Sequence, residues 1–280
     1  MPDPHLLARY GLKYNPFLPA IPADGLWSPP GLDDFCFRVE SLVIDGGFAL
    51  ITGDPGLGKS KALHLLAQRL DQVGEVVIGV LERPQSALGD FYRELGQLFG
   101  VDLSPANRYG GFKALRARWR THIKSSLFRP VLLIDEAQVV ASGCLDELRL
   151  LGSAHFDSEL LLTTVLCGDN RLGKRFRSPE LLPLGSRIRT RLVLEPLAKD
   201  HLLDFLDHQI AHAGAPHLLT DGLKGVLVDH AAGNLRVLTS MGADLLCAGA
   251  ARDRKQLDEK LFLELYARSP RKQARPRKTS

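Results

Sequence analysis

The eight residues from Gly53 to Ser60, GDPGLGKS, carry the spacing G-x-x-x-x-G-K-[ST] in full. Glycine at 53, 56 and 58 lets a backbone fold closely around an oxyanion with its N–H groups turned inward. Asp54, Pro55 and Leu57 fill the turn, and Lys59 supplies charge for the β- and γ-phosphates of a nucleoside triphosphate. Ser60 offers a hydroxyl to Mg2+, and Lys61 completes the phosphate-binding set. Downstream, VLLIDEAQ at 131–138 places Asp135 and Glu136 after four apolar residues. Carboxylates at the C-terminal end of a buried strand sit where open α/β sheets bind ligands. Asp135 suits the magnesium shell, and Glu136 can orient and deprotonate an attacking water. Bland alternatives exist: a strand–helix turn for the glycines, a helix cap for Glu136. Two such motifs in one chain favour the catalytic reading.

Both motifs need a strand behind them, and the apolar pattern supplies it. GFALITG (47–53), EVVIGVLE, RPVLLIDEAQ, SELLLTTVLCGDN and TRLVLEPL predict five strands. LDDFCFRVESLVIDG, KSKALHLLAQRLDQVG, ALGDFYRELGQLFG and GFKALRARWRTHIKSS predict helices between them. Near-continuous apolar strands alternating with helices imply a parallel sheet covered on both faces. After Pro196 only helical patterns remain. The expected architecture is therefore α/β, a parallel five-stranded sheet flanked by helices, with a small C-terminal helical lid. Its expected divisions are an irregular leader (1–31), a nucleotide-binding domain (32–197), the lid (198–268) and a disordered basic tail (269–280).

Composition fits a soluble globular protein, at 45% hydrophobic and 24% charged residues. The four cysteines are scattered without a CxxC pair, as expected of reduced structural thiols in a cytoplasmic protein. No signal peptide and no membrane span is expected from the apolar pattern. The net charge of +4 is unevenly spread. Residues 108–129 carry seven Lys/Arg and no acid, 171–191 carry seven against Glu180 alone, and ARSPRKQARPRKTS carries six. A charge run is usually a solvated face; three in one chain favour a polyanionic partner. In FKALRARWRTHIKSS, Phe112, Leu115, Trp119 and Ile123 share one helical face, leaving Arg116, Arg118, Arg120 and Lys124 for surface or DNA. Lys174, Arg175 and Arg189 are further candidates for DNA contact. Arg187, Arg189 and Arg191 alternate, which would give a strand one cationic face.

The combination of GDPGLGKS, LLIDEAQ, a strand ending in CGDN, and AAGNLRVL resembles AAA+ ATPases, P-loop NTPases that act as assemblies. YGLKYNPF, the IDEAQ form of the second motif, and GNLRVLT resemble two branches more closely. One is the transposition ATPases of the MuB, TniB and TnsC kind; the other is the ExeA-type secretion ATPases. The resemblance implies ATP and Mg2+ as cofactors and a sensor residue at Asn170 or Asp169 beside the γ-phosphate. It also implies a lid arginine at Arg236 and a finger arginine acting on the neighbouring subunit at Arg187, with Arg189 in reserve. Head-to-tail contacts of that kind build rings or helical filaments. The expectation is an ATP-dependent regulator of transposition that oligomerises on duplex DNA and recruits a transposase, with a target-selector protein as a further possible partner. ExeA-type relatives carry a membrane anchor and an envelope-binding domain beyond the ATPase; neither is expected here, so secretion is the alternative expectation. An ATP-licensed scaffold with little hydrolysis is another, opposed by Glu136 and Arg187; a replication initiator or helicase loader is the last.

Overall fold

The computed structural model describes residues 4–82, 84, 87–103 and 107–266. The tail expected at 269–280 lies outside the described residues. The chain divides into two compact units: 28–196 forms one, and 1–27 together with 197–280 forms the other.

The first unit is built on β1 (Gly47–Gly53), β2 (Ile78–Leu81), β3 (Val131–Ile134), β6 (Thr163–Gly168) and β7 (Ile188–Leu194), a parallel sheet in the order β2-β3-β6-β1-β7. The expected parallel α/β sheet is thus present. A short antiparallel hairpin, β4 (Ser153–Ala154) with β5 (Glu159–Leu160), stands apart from it. The expected fourth strand therefore divides: Glu159 and Leu160 belong to the hairpin, and the sheet strand begins at Thr163.

Every residue of β1 is buried, and its alternation divides the core. Phe48 and Leu50 pack with Leu132, Ile134 and Leu166 on one face, under α4 (Leu88–Phe99), α5 (Arg108–Ser126) and α6 (Ser142–Gly152). Ala49 and Ile51 pack with Val131, Leu133, Val165 and Cys167 on the other, under α2 (Leu32–Asp45) and α3 (Lys59–Asp71). Two helical layers thus enclose the strands, which accounts for their continuous apolar runs. In α5 the apolar face holds as expected: Leu115 and Trp119 are buried, with Trp119 edge-on to Phe99 at 5.3 Å. Gly53 is indispensable at the end of β1, where a Cβ would stand 2.6 Å from the Leu194 carbonyl oxygen.

The second unit holds α9 (Lys199–His212), α10 (Asp221–Ala231), α11 (Leu235–Ala251) and α12 (Glu259–Tyr266), around Leu206, Leu223, Leu227, Leu238, Leu245 and Leu246. Thr220 and Asn234 cap α10 and α11 through their side-chain oxygens. The leader differs from the irregular segment expected. It contains α1 (Pro4–Tyr10), and YGLKYNPF folds onto these helices, with Leu12 and Phe17 buried in their core. Gly242 makes room for Phe17, whose ring would lie 2.5 Å from a Cβ there. The prolines and glycines hid that packing, because its apolar residues are spaced by turns.

Candidate active site

β1 delivers the chain into the glycine-rich turn at the C-terminal edge of the sheet. Gly56 (φ 88°) and Gly58 (φ 92°) both adopt the left-handed region, the second as the residue before α3. Those conformations are open to glycine and turn successive N–H groups toward one concavity, backed by the N-terminus of α3. Lys59 heads the helix, and its Nζ donates to the Asp54 carbonyl oxygen at 3.0 Å, curling over the turn. Ser60 is exposed beside it, and burial holds the Lys61 ammonium below its usual range.

Asp135 follows the last residue of β3, half-buried, and its Oδ1 accepts from the Glu136 N–H at 2.8 Å. Glu136 is exposed with φ 50° and ψ 34°. A left-handed residue without glycine costs of order 1–3 kcal/mol and is held only where surroundings over-determine it. Glu136 stands before the short turn Ala137–Val139 without making a side-chain cap. Behind it, burial and then the negative charge of Asp135 push the Cys167 thiol well above its usual range. Cys36 is pushed up to about 11, chiefly by burial, so both thiols are protonated packing groups.

The two sensor candidates separate clearly. Asp169 caps α7 (Asn170–Arg175): its Oδ1 accepts from the Arg171 N–H at 2.9 Å, and its carboxylate pairs with the Arg171 guanidinium at 2.6 Å. That arginine holds its carboxyl below the usual range. Asn170 instead reaches the phosphate turn, its Nδ2 donating to Asp54 Oδ1 at 2.6 Å. Hard oxygen donors at Ser60 and Asp135 match the chemistry of Mg2+, which takes few protein ligands and completes its shell with phosphates and water.

Arg187 lies just before β7, and its Nη2 pairs with Asp157 at 2.6 Å while Nη1 donates to the Pro183 carbonyl oxygen. Asp157 is the third of three consecutive left-handed residues, His155, Phe156 and Asp157, at the tip of the β4–β5 hairpin. The supposed cationic strand face therefore has two members, Arg189 and Arg191, on the exposed side of the alternating edge strand. Arg236 sits exposed in the first turn of α11, in the helical unit.

Three of the residues expected to meet DNA have internal partners. Arg116 Nη1 donates to the carbonyls of Leu150 (3.0 Å), Leu151 (3.2 Å) and Ser153. Arg118 Nε reaches the Phe99 carbonyl at 3.3 Å, and Arg175 bonds the Gln138 carbonyl at 2.8 Å and Ser142 Oγ at 3.1 Å. Helix and loop ends leave carbonyls without partners, and a guanidinium satisfies several at once. Arg120, Lys124, Lys174 and Arg189 are exposed.

The fold, a five-stranded parallel sheet flanked by helices, matches that of P-loop NTPases of the AAA+ kind. Residues 44–176 match a family model described as an AAA domain. The chain is 33% identical over 172 residues to the general secretion pathway protein A of Aeromonas hydrophila, a match covering 60% of this chain and 30% of that protein. The chain thus spans under a third of that relative's length. The Aeropyrum pernix ORC2 protein has the same fold at a TM-score of 0.70 and 14% identity, covering 92% of this chain and 72% of that one. The ORC1 protein of the same organism, solved in complex with DNA, follows at 0.66 and 16%, covering 90% and 68%. The family match and the fold support an ATPase at the level of the class.

Proposed function

We propose that this chain is an ATP-hydrolysing regulator that assembles head-to-tail on duplex DNA and delivers a transposase to it. The observation that carries the hydrolytic part is the convergence, on one sheet edge, of a phosphate turn, a carboxylate pair and Asn170 bonded to that turn at 2.6 Å. In this reading the inward N–H groups of 53–60 and Lys59 hold the phosphates. Ser60 and Asp135 would hold Mg2+, which would supply positive charge to the phosphates. Glu136 takes a proton from water at a carboxylate oxygen. Asn170 would exchange its bond to Asp54 for one to the γ-phosphate. Arg187 leaves Asp157 to meet charge on the phosphate of a neighbouring copy, a contribution of roughly 10³–10⁵ in rate for such fingers.

DNA is supported by the exposed cations. Lys174, Arg177 and Arg191 line one cleft of about 470 Å³ beside Asn170, and Arg120 and Lys124 are exposed along α5. Lysines and arginines of this kind give sequence-independent, salt-sensitive contact with phosphates. The test is assembly with a non-hydrolysable ATP analogue on duplex DNA. Oligomers that need both nucleotide and DNA support the reading, and their absence contradicts it.

A second reading, a secretion ATPase, is favoured by the 33% identity to a secretion pathway protein. It predicts nucleotide-dependent assembly that is indifferent to DNA.

A further inference from the structure

The side chain two residues beyond Glu136 has no part in the mechanism above. We propose that Gln138 is a positioning residue, a bridge that fixes the carboxylate of Glu136 and ties it to the start of α7. This rests on Glu136 being the base.

Gln138 Nε2 donates to Glu136 Oε2, and Gln138 Oε1 accepts from the Asp169 N–H at 3.1 Å. The orientation of this amide is set by its partners. A backbone N–H can only donate and a carboxylate can only accept, so the oxygen must face Asp169 and the NH2 must face Glu136. The main chain of Gln138 is pinned as well, its carbonyl accepting from Arg175, which also bonds Ser142. A third feature makes room for the amide. Gly168 ends β6 directly against Gln138 Oε1, and a Cβ there would collide with that oxygen and lie 3.3 Å from the Gln138 nitrogen.

The consequence is a defined carboxylate on an exposed residue. Holding Oε2 leaves Oε1 as the oxygen that receives the proton, and an acid fixed within hydrogen-bond reach is what general-base catalysis requires. The bridge also joins both halves of the site. Asp169, whose N–H meets Gln138, precedes Asn170, whose side chain meets Asp54 of the phosphate turn. A shift of the α7 N-terminus when Asn170 changes partner therefore passes to the base through one amide.

The experiment compares Gln138→Met and Gln138→Glu on the full chain, alone and together with Glu136→Gln. Steady-state and single-turnover ATP hydrolysis are read beside ATP binding. Gln138→Met removes donor and acceptor at similar volume; Gln138→Glu keeps the acceptor for Asp169 and loses the donor. Both are expected to lower kcat by about tenfold or more, with KM and ATP affinity within about twofold. With Glu136→Gln present, Gln138→Met is expected to add nothing, because residues acting as a unit are non-additive. Unchanged or raised kcat in both variants overturns the proposal, as does the same factor lost in both backgrounds. Loss of ATP binding in Gln138→Met with Gln138→Glu fully active also overturns it, marking a packing role. If wild type and Glu136→Gln hydrolyse ATP alike, the reading of Glu136 fails first and the bridge with it.

Discussion

Glu136 places an exposed carboxylate, held by Gln138, on a left-handed backbone one residue after Asp135. Glu136→Gln is expected to lower kcat by roughly 10²–10⁴ while ATP binding persists; Lys59→Ala is expected to abolish binding itself. Isothermal titration beside a phosphate-release assay separates the two. Arg108 has a different duty. Its guanidinium and the Tyr92 hydroxyl both bond Glu147, whose side chain is only 3% exposed. Arg108→Ala leaves that carboxylate short of a partner and is expected to destabilise the unit by about 1–3 kcal/mol, measured by urea denaturation. Asp157 offers a titration. A hydrogen bond from Ser153, and then one from Arg187, hold its carboxyl below the usual range, so the pair persists above that range and opens as pH falls through the lowered value. Carboxyl NMR is expected to show the Asp157 titration move upward in Arg187→Ala. At this scale the sequence was informative wherever spacing encodes chemistry: the phosphate turn and the Asp135–Glu136 pair need fixed residue types at fixed intervals. The different partners of Asp169, which caps α7, and Asn170, which bonds Asp54, were visible only in the structure. The engagement of Arg116, Arg118 and Arg175 was likewise hidden, because their acceptors are carbonyls distant in sequence.

Among the elements, β1 and α3 were legible to within a few residues because a buried strand, a glycine turn and an amphipathic helix each carry strong local signals. The β4–β5 hairpin was not. Strands of two residues have no periodicity, and its tip turns through His155, Phe156 and Asp157 where glycine would ordinarily mark a left-handed path. The same limit moved the start of the fourth sheet strand to Thr163. α5 combines both lessons. Its apolar face was predicted from spacing, and its buried Trp119 anchors the outer layer against Phe99. Trp119→Ala is expected to cost about 3–5 kcal/mol by thermal or urea denaturation, a loss of packing with no specific effect on nucleotide affinity.

For the whole molecule, the alternation of strands and helices fixed the class of fold. The partition of the N-terminal residues with the C-terminal helices had no local signature, because it is a pairing across most of the chain. Among the described residues no helix is long and apolar enough to cross a membrane. If the exposed cations meet DNA, Arg120→Glu with Lys124→Glu is expected to weaken binding uniformly across sequences. It should also flatten the dependence of log K on log salt by roughly one for each phosphate that the variant no longer neutralises. The central claim, that hydrolysis is completed across a head-to-tail contact, is tested most directly by mixing Lys59→Ala protomers with Arg187→Ala protomers. Each variant alone should be inactive. In an equimolar mixture about a quarter of the interfaces would join an intact phosphate site to an intact arginine, and hydrolysis should return accordingly. No return of activity, in mixtures shown to co-assemble, would contradict the account.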